Sequence, residues 1–91
     1  MMKNLLLLSI VLLPTLLTAQ QIAIQTNYAV QGKIFAVKTA KKYASVEGCS
    51  KIALSKSKVK GFSFDSKTGK CTLYKKVKSI KEKQGFVSGT K

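Results

Sequence analysis

The sequence predicts a small α+β domain in which an antiparallel β-sheet packs against one α-helix. Three observations predict it. A capped segment with helical periodicity begins at Ser45, Phe62 and Phe64 alternate with Ser63 and Asp65 as in a half-buried strand, and the two cysteines fall one on the helical segment, Cys49, and one on the strand that returns after the turn, Cys71.

The chain starts with Met1-Met2-Lys3-Asn4 and continues as an apolar run over residues 5–17, interrupted by Ser9, Pro14 and Thr15. This is the outline of a secretory signal peptide. A retained membrane anchor is the alternative, but the run falls short of the ~18–20 residues of a spanning helix and contains Pro14. Cleavage is expected after Ala19, although Leu17 is a poor match to the small residue preferred two places earlier. Residues 1–19 are therefore read as the leader and residues 20–91 as a single domain, too short for a second one.

Residues 21–37 carry Ile22, Ile24, Tyr28, Val30, Ile34, Phe35 and Val37 among polar residues, which predicts two short strands with a turn at Gly32. Residues 38–44 connect them to the helix. Ser45 is the expected N-cap, Glu47 lies in the first turn where the helix dipole favours an acid, and Val46, Cys49, Ile52 and Ala53 recur at helical spacing. Cys49 then faces inward. A Lys-rich link over residues 56–60 leads to the Phe62/Phe64 strand, whose two rings point at the helix. Asp65-Ser66-Lys67-Thr68-Gly69 supplies Asp to open a turn and Gly for positive φ. The chain returns through residues 70–74 with Cys71 and Leu73 inward. Residues 75–84 are highly charged and lack a clean period, so they read as a solvated loop or frayed edge strand before a last strand at 85–89.

An export signal places the chain where thiols oxidise, and two cysteines allow one intramolecular pairing, Cys49 with Cys71. The alternatives are two buried free thiols or an intermolecular bridge. A domain this small usually needs such a staple.

The stretch CSKIALSKSKVKGFSFDSKTGKCTLY, residues 49–74, resembles the PAN/apple modules of extracellular proteins. Those modules read Cys-x3-Cys on a helix, a third Cys soon after, then x-Gly/Ala-Phe-x-Tyr/Phe-Asp/Asn, a turn and Cys-x-Leu. Cys49 stands at the first family cysteine and Cys71 at the fourth, while Ala53 and Val59 hold the second and third positions. The family pairs the first with the fourth and the second with the third. The resemblance therefore implies a module that kept its outer bridge and lost both halves of the inner one, leaving small apolar side chains suited to a core. It covers residues 22–91. It implies that the strands of residues 21–37 pair with the hairpin strands and the last strand in an antiparallel sheet beneath the helix, and a non-enzymatic role in protein–carbohydrate or protein–protein contacts.

All seventeen basic residues are lysines, set against three acids, Glu47, Asp65 and Glu82, for a net charge of +14. A field of that size attracts polyanions, anionic headgroups and acidic proteins. Lysine is a hydrated point charge without the planar fork of arginine, so salt-sensitive and weakly specific binding is expected. By strand parity Lys70, Thr72 and Tyr74 face outward, followed by Lys76 and Lys78. With Lys56, Lys58 and Lys60 they are expected to form one basic patch at an end of the hairpin, with Tyr74 as an exposed aromatic. A solubilising, edge-protecting surface is the plainer alternative.

The sequence holds no His, Trp or Arg, its carboxylates are dispersed, and no nucleophile motif surrounds its serines, so neither catalysis nor a metal or other cofactor is expected. What remains is binding, with an acidic glycan or acidic extracellular protein as the expected partner. A secreted cationic effector acting on membranes or host molecules is the second reading, although the helix is short and faces the sheet. A protease-inhibitor or toxin-like scaffold is a third. Nucleic acid would bind by charge alone, without a recognition motif, and is not expected to be a physiological partner.

Overall fold

A computed structural model describes residues 21–91. The expected leader and its cleavage after Ala19 lie outside the described residues. The elements are β1 (Ala23–Lys38), a 3-10 turn (Lys41–Tyr43), α1 (Val46–Ser55), β2 (Gly61–Asp65) and β3 (Lys70–Thr90). The architecture is the expected α+β class, one antiparallel sheet and one α-helix.

The strand order is β1-β3-β2, yet β3 is 21 residues long and both of its ends pair with β2. Gly61 to Asp65 pair with Tyr74 to Lys70 on one edge and with Thr90 to Phe86 on the other. Partner numbers fall as those of β2 rise in both cases, so both pairings are antiparallel. β1 follows β3 along its length, Ala23 to Thr26 against Thr90 to Val87 and Ala36 to Lys38 against Leu73 to Cys71. Across the sheet the order is therefore 23–26, 86–90, 61–65, 70–74, 36–38, with β2 at the centre and the two ends of β1 on the outer edges.

The middle of the β1–β3 ribbon has to pass from one side of β2 to the other, and it does so over the face opposite the helix. The Val30 amide donates to Ser63 Oγ at 2.7 Å, which fixes the centre of β1 over the centre of β2. Ala29, Val30, Ser63 and Ser88 are buried there, and Val77 Cγ2 lies 2.9 Å from where a side chain on Gly61 would begin. A methyl group on Gly61 would also meet Gly89 O at 2.8 Å, so any larger residue would force a shift at that crossing.

On the helix face Cys49 and Ala53 of α1 meet Phe62, Phe64, Cys71 and Leu73 of the hairpin, with Val59 closing the cluster. Full burial of Phe62 and Leu73 contributes about 1.5–3 kcal/mol each. Gly89 pairs with Phe62, whose ring occupies the space a methyl group there would need. The Cys49–Cys71 disulfide joins helix to strand across a Cα separation of 5.6 Å. By the loop-entropy model it contributes about 3 kcal/mol.

The expected Ser45 cap is present, its side chain accepting from the Gly48 amide at 2.9 Å. The expected turn is present too. Gly69 has φ 77°, its amide donates to Asp65 O at 2.8 Å, and the Lys67 amide donates to Asp65 Oδ1 at 3.0 Å.

Two expectations are corrected. No turn interrupts residues 21–37; Gly32 lies within one continuous strand, and glycine is required there because the Lys76 carbonyl packs against its Cα. Residues 75–84 are neither loop nor frayed edge but the middle of β3. Their irregular period has a structural cause. Between Gln31/Ser79 and Ala36/Leu73 the register slips three times, leaving Lys78 and Lys75 unpaired on β3 and Phe35 unpaired on β1. Each bulge bends the ribbon and resets side-chain parity. The opposite corner turns at Asn27 (φ 66°) and Gly85 (φ 84°), tied by the Gly85 amide to Asn27 Oδ1 at 3.3 Å.

Candidate polyanion-binding surface

The lysines converge at the end of the sheet where the link after α1 enters β2. The Lys60 amide donates to Tyr74 O at 2.7 Å and the Lys91 amide to Lys60 O at 2.9 Å, so backbone pairing places three segments side by side. Lys91 Nζ donates to Lys56 O at 2.9 Å, and Lys60 Nζ to Ser57 O at 3.3 Å. A shallow open depression of about 490 Å³ lies here, lined by Lys60, Lys75, Lys76, Val77, Thr90 and Lys91 among others. Lys33 pairs directly with Lys76 in the ribbon register, extending the band onto β1.

Partial burial of the Lys91 ammonium and the neighbouring Lys60 charge lower its pKa below the usual lysine value. An anion seated in the depression would relieve the second cause and raise it again.

The expected patch is thus partly assembled and partly divided. Lys56, Lys60 and Lys76 come together, and Lys58 is exposed in the same link. Lys78 lies further along the ribbon at its bulge. Lys70 does not belong, since it pairs with Asp65 at the opposite end of β2, four residues of strand away from Gly61. Tyr74 is half-buried, because the face expected to be open carries the ribbon. The aromatic rings with a cation above them are elsewhere, Tyr43 with Lys42 at 5.2 Å and Lys38 at 6.0 Å, and Phe86 with Lys83 at 4.7 Å.

Lys33, Lys75 and Lys91 join the band without having been expected. Neither Lys33 nor Lys91 is near the others in sequence, and only the long-range register brings them in. Lys75 was hidden by the parity shift.

Among the described residues no group of three or more His, Cys, Asp and Glu could hold a metal ion, and no helix is long and apolar enough to cross a membrane. No protein-family model matches the chain, and no curated protein sequence matches it.

Proposed function

We propose that the chain is a secreted, non-enzymatic binding module of PAN/apple type that holds an acidic glycan, or an acidic extracellular protein, against the lysine band formed by Lys33, Lys60, Lys75, Lys76 and Lys91. The observation that carries this reading is the direct cross-strand pairing of Lys33 with Lys76. Like charges directly opposite each other in a sheet destabilise it, a cost that an anionic partner would reverse. A merely solubilising surface would gain from spreading its charges. Support for the PAN/apple assignment comes from the disulfide between Cys49 and Cys71 and from the burial of both Ala53 and Val59 in one core cluster. The disulfide is also compatible with an oxidising, extracellular setting.

The test compares two charge-matched variants on immobilised heparin. One carries Lys75→Gln, Lys76→Gln and Lys91→Gln, the other Lys38→Gln, Lys51→Gln and Lys67→Gln, so the net field is the same to first order. The band variant should elute at clearly lower salt, since close contacts act within a Debye length of about 8–10 Å. Equal shifts would show that no discrete site exists. Lys33→Gln alone should raise the unfolding midpoint while weakening retention, an opposition that a structural role for Lys33 would not produce.

A further inference from the structure

The large apolar side chains left exposed among the described residues all lie on β1, and three of them form one short run: Ile34, Phe35 and Val37 are 54%, 38% and 47% exposed. None of them belongs to the lysine band. We propose that the outer edge of β1 from Ile34 to Lys38 is a docking edge for an extended acidic segment of a partner protein, which adds to the sheet as a further strand.

The edge is built for this in three respects. Residues 36–38 pair with β3 on one side only, so every second backbone N–H and C=O on the other side lacks a strand partner within the sheet. Ile34 and Val37 share a face although they are three residues apart. Their partners Tyr74 and Thr72 are two apart, and the Phe35 bulge absorbs the extra residue. An added strand therefore meets two apolar side chains on one face, as alternating side chains of an incoming peptide require. Lys33 and Lys38 bracket the run and are followed by Lys41 and Lys42.

These charges select the occupant. Two copies of the edge pairing antiparallel about Ala36 would set the bracketing lysines of one against those of the other, which disfavours self-association. Carboxylates on an incoming strand meet attraction at the same positions. A lipid surface is the other ligand with apolar and anionic parts, but hydrocarbon cannot satisfy the edge amides and carbonyls, whereas a strand can.

The probe is an acetylated, amidated octapeptide of alternating Glu and Val, titrated into the disulfide-bonded protein and followed by the amide resonances of residues 33–38. Binding should shift these resonances. The double variant Ile34→Thr, Val37→Thr, which keeps the charge and strand propensity, should bind about tenfold more weakly while its retention on heparin is unchanged. N-methylation of alternate peptide amides should have the same effect as the variant. The proposal is overturned if an all-Glu octapeptide binds equally well, if the shifts fall on residues 75–78 instead, or if N-methylation is harmless. It is equally overturned if the double variant loses affinity for phosphatidylserine vesicles but not for the peptide, or if sedimentation shows a dimer that the variant abolishes.

Discussion

Ser63 stands at the centre of β2 with its hydroxyl on the ribbon face, only 2% exposed, and accepts the Val30 amide across the two layers. Replacing it by alanine leaves that buried N–H without an acceptor. Ser63→Ala should therefore lower stability by about 1–3 kcal/mol in urea unfolding, whereas a surface Ser57→Ala should change little. Asp65 acts at the same scale but in water. The Lys67 amide, with smaller contributions from Thr68 and the Lys67 charge, outweighs slight desolvation and holds its carboxyl below the ordinary value of 3.8. A depressed acid stabilises the folded turn above its unfolded pKa and loses that contribution as pH falls through the folded one. The Gly69 and Lys67 amide signals should accordingly titrate with a midpoint below pH 3.8, and Asp65→Asn should remove that acid dependence.

At the scale of elements, α1 and the hairpin form one stapled unit in which Ala53 and Val59 are both fully buried. If the module is of PAN/apple type, Ala53→Cys with Val59→Cys should form a second disulfide, read as a mass lower by two hydrogens per bridge on non-reduced intact protein. Two alkylatable thiols in the folded double variant would remove the support for that assignment. This unit was legible in the sequence because its signals are local: the Ser45 cap, the Phe62/Phe64 alternation, the Asp65–Gly69 turn and the cysteine pair each act within a few residues. The ribbon was not. Bulges at Lys75 and Lys78 shift the parity of β3 twice, so no constant period runs through residues 75–84, and the bulge at Phe35 does the same to β1. Gly32 gave a turn signal, but its small size serves close approach to the Lys76 carbonyl. The candidate site was half legible for the same reason. Lys60 and Lys76 follow from the hairpin, while Lys33 and Lys91 depend on pairings between segments distant in the sequence.

For the whole molecule, the decisive feature is that β3 borders β2 on both sides. The ribbon cannot lift off without stretching the two sheet edges to which it is continuous, so ribbon and sheet should unfold as one. Hydrogen exchange of the Val30 and Phe62 amides should show similar protection and fall together when the disulfide is reduced; a ribbon that exchanges far faster than β2 would contradict this. Dominance of non-local pairing also places refolding in the ms–s range with the disulfide intact.

The same threading orders events during synthesis. Residues 23–26 emerge early, but the segment they pair with, 87–90, is nearly the last of the described residues to be made, and it must also fill the free side of β2. The hairpin and the edge at residues 36–38 can pair beforehand, yet the other outer edge, 23–26, and the second side of β2 lack their partner until the segment ending at Thr90 is released. A nascent chain of this topology stays open and threadable for most of its elongation. For a protein that we propose is exported through a narrow channel before its cysteines meet an oxidant, late closure is itself a way of remaining transportable.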